Sequence, residues 1–171
     1  MSGWPRDRAT SRPSASPAPE ASPPIRVVRL AADDAERVRE ASSLFSAPPD
    51  DEAVRAYLAS PTDHLFIAYF DGQPAGFARA HDLRRLDGMR PKLLLYEIET
   101  APRFRRRGVG RAMVEAAKEQ GRARNASLMF VITSRGNTAA MRLYASTGGR
   151  RLAIDDAVLS YDLSGEDDDL P

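Results

Sequence analysis

The chain contains no cysteine, which excludes disulfides, thiolate metal sites and any cysteine-linked covalent intermediate. Histidine is almost as scarce. His64 and His81 are the only two, too few for a multi-histidine metal centre, so no metal is expected. No apolar run approaches the length needed to cross a bilayer, and the N-terminus lacks the apolar core of a secretory signal. A cytoplasmic location with no membrane partner is the resulting expectation. Excess charge is missing too: the formal net charge is +1, so nothing global draws the chain to nucleic acid. What is present is 42% hydrophobic and 29% charged residues over 171 positions. That is the make-up of one soluble domain long enough to bury a core.

Charge is nevertheless unevenly placed. Residues 103–111 hold five arginines, whereas Glu166, Asp167, Asp168 and Asp169 make residues 164–171 an acidic tail. Residues 1–24 carry six prolines among Ser, Ala, Arg and Thr. Such a composition buries too little apolar surface to offset ordering, so a disordered extension is predicted. The folded domain is expected over 25–163.

Within it, Ile25 to Leu30 reads as a strand. Asp33 or Asp34 can cap a following helix containing Val38, Leu44 and Phe45, broken at Pro48-Pro49. Asp50 starts a second helix, with Val54, Tyr57 and Leu58 on one face and Pro61 ending it. His64 to Phe70, the turn Asp71-Gly72 and Gln73 to His81 form a hairpin, and residues 82–91 a loop. Lys92 to Thr100 is a strand carrying Glu97 and Glu99. A helix follows with Val109, Ala112, Met113, Ala116 and Ala117 on its apolar stripe. Ser127 to Thr133 is a buried strand, and Asn137 to Ser146 a helix ended by Gly148-Gly149. Arg150 to Ile154 and Val158 to Leu163 read as a last hairpin turning at Asp155-Asp156. The order β-α-α-β-β-β-α-β-α-β-β describes an α/β (α+β) fold: one mixed, mostly antiparallel sheet flanked by helices.

Chemistry concentrates where the fourth strand meets its helix. Arg105-Arg106-Arg107-Gly108-Val109-Gly110 reads R-x-x-G-x-G. Successive backbone N–H groups at such a helix start can cradle a pyrophosphate, and the arginines supply counter-charge. A dinucleotide fingerprint would need glycine at the position of Met113, and a P-loop would need Gly-Lys-Ser/Thr; neither is present. In the later helix, Asn137, Ala140, Met141 and Tyr144 share a face. Asn137 and Tyr144 stand about 10 Å apart along its axis.

Together these motifs resemble the GNAT superfamily of acyl-CoA-dependent N-acyltransferases. The matching residues are Tyr96-Glu97-Ile98-Glu99-Thr100-Ala101-Pro102, then Arg105-x-x-Gly108-x-Gly110, then Asn137-x-x-Ala140-x-x-Leu143-Tyr144. The resemblance implies an acetyltransferase using acetyl-CoA as co-substrate. It implies that Arg105, Arg106, Arg107, Gly108, Val109, Gly110 and Arg111 hold the pyrophosphate. Ile98, Glu99 and Thr100 would pair with the pantetheine arm, which Asn137 and Ala140 would flank, with Tyr144 near the sulfur. Homodimers are frequent among such proteins. Gly148-Gly149 departs from the more usual Gly-Phe at that place.

Within the superfamily the chain resembles the aminoglycoside 3-N-acetyltransferases. Glu97 precedes Arg105 by eight positions, the strand has a Tyr-acid-Ile context, and an Asp-Gly turn precedes Gly76-Phe77-Ala78. The acceptor is then a polycationic small amine. A protonated amine (pKa ~10.4 for a lysine-like group) must lose a proton before attacking a thioester. Without cysteine, direct transfer is expected. Glu97 is the candidate base, directly or through water; Glu99, on the same strand face, is the alternative base, a substrate contact or an ion-pair partner. Strand N–H groups could hold the oxyanion, and Tyr144 would protonate the departing thiolate. His81 is placed at the acceptor pocket, and His64 at a strand start facing solvent. A polyamine or protein amine remains an alternative acceptor. A non-catalytic acetyl-CoA sensor would need neither Glu97 nor Tyr144, and a nucleic-acid patch does not require the glycines.

Overall fold

The computed structural model describes residues 25–151. The extension 1–24, the acidic tail 164–171 and all of the last hairpin beyond Arg151 lie outside the described residues. Nine elements follow one another as β1 (Ile25–Arg29), α1 (Ala35–Glu40), α2 (Asp51–Ala59), β2 (Asp63–Phe70), β3 (Gln73–Leu83), β4 (Lys92–Thr100), α3 (Val109–Ala123), β5 (Leu128–Val131) and α4 (Thr138–Ser146). The strands form one sheet in the order β1-β2-β3-β4-β5, antiparallel except where β5 runs parallel to β4. A parallel neighbour requires a crossover, and α3 supplies it.

Two apolar layers hold the sheet between helices. Phe66, Ala68 and Phe70 of β2 join Leu93, Leu95, Met113, Val114 and Ala117 on the α3 side. Leu65 and Ile67 join Leu30, Val38, Leu58 and Phe77 on the α1–α2 side. The alternation is the period-2 geometry of a strand. Because both faces are covered, β2 reads as an almost unbroken apolar run. On α3 the buried stripe also takes in Val114 and Gly121.

Local chemistry explains most element ends. The Asp50 carboxylate accepts from the N–H groups of Glu52 and Ala53, capping α2. Asp71 and Gly72 both have positive φ (50° and 72°), the requirement of a two-residue hairpin turn. Three expected element bounds need correction. First, α1 stops at Glu40, well before Pro48-Pro49, and Ser42–Leu44 form a separate 3-10 turn. Two successive serines, poor helix formers, follow the last turn of α1. Asp34 sits at the cap position, but its carboxylate takes no helix N–H: it accepts back from the Ala31 N–H and forward from the Arg37 side chain. Second, β3 continues to Leu83, which places Asp82 and Leu83 in the sheet and not in the loop. Third, β5 is short and half-buried, since among the described residues only β4 pairs with it.

His64 is the largest correction. It does not face solvent: its side chain is 0% exposed. Its Nδ1 accepts from Arg29 Nε at 3.4 Å, so the ring proton belongs on Nε2, which faces Asp82 Oδ1 at 3.2 Å in a poorly aligned contact. Asp82, also buried, takes Arg124 Nε at 2.7 Å. Burial, together with the Arg29 and Arg124 charges, holds the His64 pKa below 6.5 against the opposing pull of Asp82. A histidine kept neutral in the fold favours unfolding wherever the unfolded chain binds its proton. Stability should therefore fall as pH drops below about 6.5. Urea titrations at about pH 7.5 and about pH 5.5 check this, and His64→Gln should flatten the difference.

Candidate active site

Gly108 opens α3 with φ +90°, a conformation that a residue with a Cβ rarely adopts, and no side chain caps the helix. None of the backbone N–H groups of residues 106–111 has an acceptor among the described residues. Six consecutive free donors at a helix start form a concave anion site, reinforced by the helix dipole. Gly110 has a different task. A Cβ there would meet Leu143 Cδ2 at 3.2 Å, so its glycine lets α4 approach the start of α3. The arginines around the turn divide in two. Arg105 donates to Glu99 at 3.1 Å and to the Thr100 carbonyl at 3.2 Å, and Arg107 lies over the Phe70 ring. Arg106 and Arg111 are exposed and hold no ion pair among the described residues.

Beside this nest the sheet opens. Pairing between β4 and β5 covers Lys92–Leu95 and stops, although β4 runs on to Thr100. The Ala101 N–H donates to Ala75 on β3. By alternation along the strand, the Glu99 backbone also turns to β3, and Ile98 and Thr100 turn theirs to the open edge. Thr100's carbonyl is taken by Arg105. An extended ligand could therefore add to this edge through Ile98 and the Thr100 N–H. Glu99 is turned away from it and offers the arm no backbone group.

A β-bulge shapes the wall at the splay. Arg79 opposes Glu97 and Ala80 opposes Leu95, so Tyr96 is an extra residue. Tyr96 and Glu97 consequently both project to the α2 side. The Tyr96 ring lies edge-on to His81 at 5.5 Å, and His81 in turn to Tyr57 at 5.9 Å. Arg79, Leu94, Tyr96, Glu97 and Ile132 line a cleft of about 390 Å³. His81 does not line it; its Nδ1 pairs with Asp63 at 2.7 Å, and it meets the cleft only through Tyr96. Tyr57, whose buried hydroxyl has no partner among the described residues, has its pKa raised by burial and by the charge of Asp63. A second hollow of about 240 Å³, at Asp82, Arg84, Arg85, Met89 and Arg124, holds none of the motif residues.

In α4, Asn137 is the cap rather than a helical residue. Its Oδ1 accepts from the Ala140 N–H at 3.1 Å, which leaves only its amide NH₂ for a ligand. Tyr144 is half-buried, and burial raises its phenol pKa, so the hydroxyl keeps its proton at neutral pH. Among the described residues no group of three or more His, Asp or Glu could hold a metal, and no helix is long and apolar enough to cross a membrane. Arg79, Leu94 and Ile132 were not singled out by the motifs, and Tyr96 entered only as strand context. Arg79 is found only once the β3–β4 register sets it opposite Glu97; alternation along either strand alone offers no such pairing.

An open-edged strand leading into a donor-lined helix start is the architecture of an acyl-thioester-dependent transferase. The family model of acetyltransferases (GNAT) matches residues 31–148, and the chain belongs to this family. It is an N-acetyltransferase, and its acetyl donor is acetyl-CoA; the free N–H groups of 106–111 and the unpaired Arg106 and Arg111 suit the donor's phosphates. Aminoglycoside N(6')-acetyltransferase type 1 of Salmonella typhimurium (strain LT2) is 33% identical over 115 residues, 61% of this chain and 77% of that protein. Among solved structures, AAC(6')-Iy in complex with the bisubstrate analogue CoA-S-monomethyl-acetylneamine is 25% identical. The match covers 81% of this chain and 97% of that one, with a TM-score of 0.65. An aminoglycoside acetyltransferase from an uncultured soil metagenomic sample, in complex with trehalose, shares the fold at a TM-score of 0.70 and 20% identity, over 81% and 95% of the two chains.

Exposed arginines contribute modestly each and are screened by salt. The double variant Arg106→Ala/Arg111→Ala should raise the KM for acetyl-CoA about fivefold with kcat nearly unchanged. Steady-state kinetics at low salt and at about 0.5 M salt check this: the gap should narrow as ionic strength screens the site.

Proposed function

We propose that the protein acetylates an aminoglycoside, at the 6'-amine. The observation that carries the reading is the cleft at the β4–β5 splay. It is large enough for a small-molecule ligand, it abuts the open edge of β4, and it is walled by a carboxylate and an aromatic ring. Likeness to the 6'-type enzyme of Salmonella and to AAC(6')-Iy supports both substrate class and position. The 3-amine suggested by the strand context finds no support among these relatives, so the 6'-amine is preferred.

In this reading Glu97 is the base. Arg79 grips one of its oxygens, and the other, Oε1, has no partner among the described residues. It accepts the proton of the acceptor ammonium, and the freed amine attacks the acetyl thioester. Glu99, bonded to Arg105, serves the coenzyme side or the substrate's further charges. Tyr144 gives its phenolic proton to the departing thiolate and recovers one from the acylated nitrogen, which loses its second proton as the tetrahedral intermediate collapses. Ile98, Thr100, Asn137 and Ala140 flank the donor's arm, and residues 105–111 hold its pyrophosphate.

The test is thiol release from acetyl-CoA with sisomicin, neamine, spermine and a peptide amine as acceptors, followed by NMR of the product. Acetyl on the 6'-nitrogen is expected. Acetyl on the 3-nitrogen would return the earlier assignment, and turnover with spermine or peptide alone would remove the aminoglycoside.

A further inference from the structure

Arg79 has no role in the motifs, yet it is the most constrained cation at the cleft. Its Nε and Nη2 both reach Glu97 Oε2, at 2.7 Å and 2.5 Å. The same guanidinium lies 5.1 Å from the centroid of the Tyr96 ring, within the range of a cation–π contact. The bulge is what makes this arrangement. Without the extra residue, Tyr96 and Glu97 would point to opposite faces of β4, and no single side chain on β3 could touch both. A planar fork ordinarily grips both oxygens of a carboxylate. Here it grips one, and Oε1 of this cleft-lining residue has no partner among the described residues.

We propose that Arg79 is a positioning residue: clamped between Tyr96 and Glu97, it holds Glu97 by Oε2 so that Oε1 faces the acceptor amine. The inference rests on Glu97 being the base. An unanchored glutamate would sample several rotamers, and only some would bring an oxygen to the amine; anchoring one oxygen removes that freedom before substrate arrives. Lysine has no fork and cannot place two donors on one oxygen while lying flat on a ring.

Thiol release with sisomicin as acceptor tests the proposal. Arg79→Ala should lower kcat roughly 10- to 100-fold and leave the KM for acetyl-CoA within about twofold of its original value, which also shows that the chain still folds. Arg79→Lys should fall between the two. The Arg79 side chain is 37% exposed, so a small guanidinium ion can enter the space left by the alanine, and millimolar guanidinium should restore kcat at least several-fold. A merely structural arginine would not be replaced by a free ion. Loss of kcat without rescue would overturn the positioning role. Full kcat in Arg79→Ala, with Glu97→Gln inactive, would remove Arg79 and leave the base in place. Full kcat in Glu97→Gln would overturn the base and this inference together.

Discussion

Replacing Glu97 with glutamine is expected to lower kcat by ~10²–10⁴, the range that a positioned general base contributes. The KM for acetyl-CoA should hardly change, because the free donors of residues 106–111 lie in a separate part of the site. The size of the loss follows from the acceptor. A lysine-like amine of pKa ~10.4 is free base in only about one molecule in a thousand or fewer at neutral pH. Without a base beside it, the variant must wait for amine that solution has already deprotonated. Its kcat/KM should then climb about tenfold per pH unit through the neutral range, tracking the free amine. Glu99→Gln is the control. It keeps the cleft wall and removes only the carboxylate that Arg105 holds at 3.1 Å. An inactive Glu99→Gln beside an active Glu97→Gln would exchange their roles.

Tyr144→Phe is expected to lower kcat by about 10²-fold, the lower end for a general acid. The ring stays, so its packing against the core beneath α4 is preserved. Only the proton is lost. Two features set the magnitude. Burial raises the Tyr144 pKa, so the hydroxyl is reliably protonated when the thiolate leaves. A thiol has pKa ~8.5, so its anion departs tolerably without help, and the penalty stays below that of losing the base. Leaving-group chemistry gives a sharp check. With an acetyl thioester of a more acidic thiol, the ratio between original and variant kcat should shrink, because that anion needs no acid. An unchanged ratio would place Tyr144 in binding rather than proton transfer.

Much of this could be read along the chain. The spans of β4 and α2, the Asp71-Gly72 turn and the helix start at Gly108 are local matters. Alternation, a capping carboxylate and positive-φ residues act within a few positions of where they sit. Elsewhere distant groups decided. His64 was expected in solvent, since nothing near it in sequence needs a histidine; its neighbours Arg29 and Asp82, and Asp82's partner Arg124, come from β1, the end of β3 and the residue after α3. Asn137 belonged to the right stretch, but whether its amide faces a ligand or caps its own helix depends on the geometry of the first turn.

The sequence by itself determined the order of elements through α4 and the donor-lined turn at 105–111. Those are properties of residue type and short spacing, carried in any register the strands might take. Only the tertiary structure decided which groups meet. The pairing of β4 with β5 ends at Leu95 and leaves the rest of that strand edge unpaired among the described residues. One extra residue at Tyr96 turns its ring onto the face where Arg79 opposes Glu97. Register between strands depends on packing across the whole sheet, and a shift of one residue reverses every face beyond it.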